Sequence, residues 1–218
     1  MVSEMAVSIG DELIYNSNTP GGYTMMAHST DSTTLNLINA NNWDYVVLQA
    51  QSRETSLEQE QMEKELFPFT ESLSTEVREN CKSSQLIFYM TWGRENGDTP
   101  NCFARPWVCT YEGMDDVIQK VYTDMARTNK AEISPVGAVW RELRANHPDI
   151  KLYSKDGSHP SLAGSYVAAC TFYTMIYKKD PIAINWNSSL PETEVEIIKK
   201  VVKSIVFNKI ANWDFTNN

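Results

Sequence analysis

The stretch WDYVVLQAQS, Trp43 to Ser52, decides the fold. Its centre, YVVL, is a short apolar run rich in β-branched residues, the kind of strand that a parallel sheet buries on both faces. A second such run, QLIFYM from Gln85 to Met90, follows at a distance that leaves room for a helix. AEIS, Ala131 to Ser134, is a third and shorter strand candidate. Helical periodicity fills the intervals. TDSTTLNLINANN reads as a helix capped by Asp31 or Ser32, and Leu57 to Asn80 as one long amphipathic helix. MDDVIQKVYTDMARTN, PVGAVWRELRAN and PSLAGSYVAACTFYTMIY follow, the second opening on Pro135, and PETEVEIIKKVVKSIVFNKI closes the chain. Upstream, SEMAVSIGDE reads as the tail of a helix and LIYNSNT as a short strand running into the turn PGG. Strands alternating with helices predict an α/β protein with a parallel sheet covered on both faces.

The 218 residues suit one domain, residues 1–218, with no Pro/Gly/Ser linker, internal repeat or low-complexity segment. A net charge of −9 repels phosphate backbones and anionic lipid, which argues against nucleic-acid and membrane-surface partners. No apolar run reaches the roughly 20 residues that cross a bilayer, and the first residues carry no signal core. In NCFARPWVC, Cys102 and Cys109 are close enough for a local disulfide, which would imply an oxidising compartment; a zinc half-site would want a companion pair. No His/Asp/Glu cluster has metal-ligand spacing, and nothing calls for a cofactor.

Ligands of open parallel sheets bind beyond the carboxyl ends of the strands, so the residues just after each strand are the candidates for chemistry. DGSHPS, late in the chain, sets Asp156 three residues before His159, and Pro160 fits the start of a helix. The carboxylate can hold one ring nitrogen while the other stays free as a base, although a capping Asp beside a surface His would look the same. Gly22 in PGGYT can present a backbone amide to an oxyanion, and Gln51 can donate from its side chain; an ordinary turn and a loop-bonded Gln are the plain alternatives. His28 and His147 are assigned no role. In the loop from Thr91 to Tyr111, Trp92 and Arg94 are candidates for binding a carbohydrate or another polar ester, unless the rings lie under the loop.

The ordered set Gly22, Gln51, Asp156 and His159 resembles the SGNH/GDSL hydrolase superfamily over about residues 3–176. The resemblance implies a three-layer α/β/α fold with a flavodoxin-like sheet, and ester hydrolysis by a Ser-His-Asp triad. It implies that Asp156 and His159 are the terminal Asp-x-x-His block. Gly22 and Gln51, the latter where Asn is usual, would complete the oxyanion hole, as in a bacterial branch of these enzymes. The family's first block, a strand ending in Gly-Asp-Ser or Gly-Asn-Ser, has no counterpart here; GDE at Gly10 to Glu12 carries no serine.

The expected chain is therefore N-terminally truncated, inactive alone, and short of the central first strand. Three outcomes follow for the sheet: the strand at LIYN re-pairs with YVVL, another chain donates a strand or a second copy associates, or a longer gene supplies it, the last being preferred. Export would then rest on a leader in the longer gene. A glycan-binding protein on the same scaffold is the alternative. Ser52, Ser158 and Ser161 are read as loop or cap residues rather than substitute nucleophiles.

Overall fold

The computed structural model describes residues 1–217. Its sheet is parallel, with β1 (Tyr45–Leu48), β2 (Gln85–Tyr89) and β3 (Glu132–Ser134) in the order β1-β2-β3. Side chains alternate across β2. Leu86 and Phe88 enter one apolar cluster while Ile87 enters the other, so both faces of the sheet are covered.

The Leu86 face carries α2 (Met25–Thr30), α3 (Ser32–Asn39), α4 (Gln59–Glu65), α5 (Phe67–Asn80) and α6 (Tyr111–Thr128). On the Ile87 face lie α1 (Val2–Val7), α7 (Val136–Asn146), α8 (Leu162–Tyr177) and α9 (Glu192–Ile205). The result is the α/β layering expected from the sequence. No described helix is long and apolar enough to cross a membrane.

Two local expectations are corrected. The helix expected from Leu57 to Asn80 is two helices, because the chain leaves helical geometry at Leu66 (φ −122°, ψ −62°). Pro68 is the cause: it has no N–H to continue an earlier helix, and it sits in the first turn of α5, where none is needed. LIYN is the second correction, since it forms no strand. Asp11 accepts from Tyr173 at 2.8 Å and pairs with Lys179 at 2.5 Å, while Tyr177 donates to the Glu12 carbonyl at 2.6 Å. These bonds lead the segment along α8 and away from β1, leaving Ile14 79% and Tyr15 69% exposed. Re-pairing of that segment with β1 is thereby ruled out in this structure.

The two edges of the sheet differ. β3 is covered in part by the C-terminal tail, through a bridge from Glu132 to Asp214 and a bond from Phe215 N–H to the Ala131 carbonyl at 3.2 Å. β1 pairs only with β2, and its outer edge has no strand partner among the described residues. Val47 stands opposite Ile87 in the register; Ile87 is fully buried, whereas Val47 is 41% exposed.

Candidate functional site

The Asp156–His159 turn is built by one carboxylate. Its Oδ1 accepts the N–H groups of Ser158 and His159, each at 2.9 Å, and its Oδ2 meets His159 Nδ1 at 2.6 Å. Gly157 makes the reversal possible with φ +65°. The ionised Asp156 carboxylate can only accept, so the contact is made by a proton on Nδ1, and Nε2 has no protein partner among the described residues. The ring is 79% exposed, and no serine hydroxyl among the described residues bonds to it.

Helix α8 begins at Leu162, capped by Ser161, whose Oγ accepts the Gly164 N–H at 3.1 Å. Pro160 therefore precedes the cap instead of opening the helix as the sequence suggests, and His159 lies just outside the first turn.

The charged state of Asp156 is strongly favoured. Its bond with His159, then the two backbone N–H donors, hold its pKa down to about 2 from an ordinary value near 3.8. Because the folded value is depressed, the turn's stabilisation is present above the unfolded value and is lost as pH falls from about 4 toward 2. In a carbon-detected NMR titration the Asp156 carboxyl should titrate near 2, and in His159→Ala it should move up toward 3.8. An unmoved midpoint would show that the ring is not its main partner.

The turn rests on the loop after β2. Trp92 Nε1 donates to the Ser158 carbonyl at 3.1 Å, and Glu95 N–H to the Gly157 carbonyl at 2.8 Å. Trp92 is only 7% exposed and lies parallel to Trp140, with ring centroids 3.8 Å apart. Its face is thus spent on the core. The substrate-binding role expected for Trp92 gives way to a supporting one, because a ring that is 7% exposed, stacked on Trp140 and bonded through its Nε1 edge has little surface for a ligand. Arg94 pairs with the buried Asp98 at 2.8 Å and keeps part of its side chain in solvent. Cys102 and Cys109 are joined by a disulfide, with Cα atoms 4.8 Å apart.

Gly22 and Gln51 come together, but not with both donors outward. Gln51 Nε2 donates to the carbonyls of Gly22 at 2.5 Å and Tyr23 at 2.7 Å, which engages its two hydrogens. Gly22, at φ +81°, makes the bend, and its own N–H bonds to no protein group among the described residues.

Glu54 ties these two loops together, a role sequence reading missed. The carboxylate is buried, and it accepts the Met25 N–H at 3.1 Å through Oε1 and the Gln51 N–H at 3.0 Å through Oε2. Burial raises its pKa, and the two N–H donors oppose that shift.

The other candidates have structural partners. His28 Nδ1 lies 2.9 Å from Thr34 Oγ1, and burial lowers its pKa. His147 ends α7. Ser52 Oγ is 3.3 Å from Thr91 Oγ1, and Ser161 caps α8. No group of three potential metal ligands is found among the described residues.

Taken together, these elements are a parallel α/β scaffold with an acid–imidazole pair and a glycine–glutamine bend near its strand ends. No family model matches the chain, and no curated protein does. Among solved structures, the fold is shared with a DUF4886 family protein from Bacteroides uniformis ATCC 8492, at TM-score 0.77 and 15% identity over 97% of this chain and 88% of that one. It is also shared with a protein from Slackia heliotrinireducens described as "a putative SGNH hydrolase", at TM-score 0.57 and 24% identity over 70% and 79% of the two chains. The chain thus has a fold found among hydrolases.

Proposed function

We propose that the chain provides the acid–base and oxyanion portion of an SGNH-type hydrolase acting on acyl esters, with the nucleophilic serine contributed from outside these residues. The Asp156–His159 contact at 2.6 Å, with Nε2 unengaged, is the observation that carries the reading. In that reaction Nε2 removes the proton from a serine hydroxyl as its oxygen attacks the ester carbonyl. The resulting imidazolium is stabilised by Asp156, then returns the proton to the departing alcohol. Water repeats the sequence on the acyl-enzyme. In this reading Gly22 N–H serves as one oxyanion donor, and Gln51 becomes the second when its amide releases a loop carbonyl.

A strand carrying the serine has a place to bind. The outer edge of β1 has free backbone groups, and Val47 on that strand is half uncovered. A parallel strand there would end on the same side as the loops that bear Gln51 and Trp92.

The chain alone should turn over 4-nitrophenyl acetate no faster than buffer. A synthetic β-branched peptide ending in Gly-Asp-Ser, added in trans, should give turnover that His159→Ala lowers by at least about 100-fold, the scale of general acid–base catalysis. Turnover by the unaided chain that His159→Ala abolishes would overturn the assignment of the serine to another segment. A bound peptide that yields no His159-dependent turnover would overturn the hydrolase reading. The second reading, a glycan-binding protein on this scaffold, is favoured by the lack of a serine bonded to His159 among the described residues. Glycan binding with no turnover in any of these mixtures would select it.

A further inference from the structure

Part of the loop after β2 is closed on itself by one covalent bond. The disulfide partners Cys102 and Cys109 are seven residues apart, and both lie partly exposed. Between them Phe103 is fully exposed, and Ala104 and Pro106 also face solvent. The backbone bonds of this outer half are local: Arg105 N–H donates to the Asn101 carbonyl at 2.9 Å, and Val108 N–H to the Arg105 carbonyl at 3.0 Å. Arg105 alone turns inward, with Nη2 3.8 Å from Asp98. A segment with little apolar burial and only local bonds has low stability of its own. Its root is firmer, since Val108 is fully buried and its carbonyl accepts the Asp98 N–H at 2.7 Å. The disulfide therefore ties a weak outer half to a fixed root. Because the loop it closes is short, the bond restrains the unfolded chain less than a long-range disulfide would.

Beside that root stands Trp107, whose Nε1 donates to the Ser56 carbonyl at 3.0 Å. Ser56 ends a buried turn, Glu54–Ser56, that holds Gln51 from two sides. Glu54 accepts the Gln51 N–H at 3.0 Å, and Thr55 N–H donates to the Gln51 carbonyl at 3.2 Å. Glu54 also accepts from Met25, three residues beyond Gly22. Among the described residues, no hydrogen bond other than that of Trp107 links residues 102–109 to residues 51–56. A single indole bond thus couples the disulfide loop to the glycine–glutamine bend.

We propose that the Cys102–Cys109 disulfide is a redox switch for the glycine–glutamine bend, opened by a dithiol reductant. A thiolate of the reductant attacks one sulfur of the disulfide, forming a mixed disulfide and releasing the other sulfur as a thiolate. The reductant's second thiol then attacks its own sulfur in the mixed disulfide and frees the chain's second cysteine. Two electrons and two protons pass to the chain, which gains two thiols, and the reductant ends as a disulfide. The outer half then leaves its root, Trp107 withdraws from Ser56, and the turn loosens its hold on Gln51. The proposal deepens the hydrolase reading as regulation of the same site, and it rests on that reading for any effect on ester turnover. The loosening of Gln51 itself needs no catalysis.

The test is amide hydrogen exchange on the full chain before and after dithiothreitol, with alkylation and mass analysis to show that Cys102 and Cys109 have become thiols. Reduction should speed exchange at Gln51 and Thr55 at least about tenfold, the scale of one lost hydrogen bond, and leave Ile87 and Phe88 on β2 unchanged. Reoxidation should restore the slow rates. Trp107→Phe should give the same increase with the disulfide intact, and Cys102→Ser combined with Cys109→Ser should give it without reductant. His159→Ala should respond to reduction as the parent does, which separates this proposal from the fate of the hydrolase reading. A folded chain whose disulfide resists dithiothreitol, exchange at Gln51 unchanged by reduction, protection lost across the whole sheet, or slow exchange retained in Trp107→Phe would overturn it.

Discussion

Trp140→Ala is expected to lower the stability of the chain by about 3 to 5 kcal/mol in chemical denaturation, the usual range for deleting a buried tryptophan. The side chain is fully buried in the cluster on the Ile87 face. It stacks on Trp92 with only 3° between the ring planes and meets the Tyr153 ring edge-on at 5.0 Å. Gly164 on α8 is packed so closely that a Cβ there would lie 2.5 Å from Cη2 of Trp140. The helix therefore clamps the indole, and its loss leaves a hole that neighbours cannot fill without moving α8. The effect should extend to the candidate site, because Trp92 holds the Ser158 carbonyl. Asp156 should titrate closer to its ordinary value in this variant even where the fold survives. A stability loss under about 1 kcal/mol would show that the two indoles are not the strut described here.

Asp115→Ala should cost about 3 kcal/mol, because it strands several donors at once. The buried Asp115 carboxylate accepts the Gly93 N–H at 3.1 Å, Arg141 Nε at 2.6 Å and Gln119 Nε2 at 2.8 Å. Burial raises its pKa, and Arg141 works against that rise. Arg141 keeps a bond to Asp116 at 2.7 Å and partial exposure, which limits the penalty. Asp115→Asn retains an acceptor and should lose less than the alanine variant. Equal losses in the two variants would mean that the cost is packing and not stranded donors. Gly93 follows Trp92, so this carboxylate steadies the same loop from the opposite side.

What the sequence revealed follows the range of the interactions involved. YVVL and QLIFY were legible because an apolar β-branched run is itself the signal of a buried parallel strand. LIYN has similar composition but no partner, and a strand exists only when a neighbour accepts its backbone bonds; Asp11 and Glu12 are instead tied to α8. The Asp156–His159 pair was readable because its members are three residues apart and share one turn. Nothing local marks Glu54, whose acceptors serve the backbone at Gln51 and at Met25, the latter 29 residues away. Of the two readings the sequence leaves open for Trp92, a binding face or the loop's underside, the structure has the ring buried. Aromatic density in a loop does not distinguish a binding face from a buried underside.

The uncovered flank of β1 is also a colloidal hazard. A short run of open amides beside a half-bare valine invites pairing with the same edge of a second molecule, and such a contact, antiparallel and two-fold, closes on itself as a dimer. Concentrated preparations of the chain would drift toward dimers, and a lysine at Val47 would be the natural gatekeeper against them.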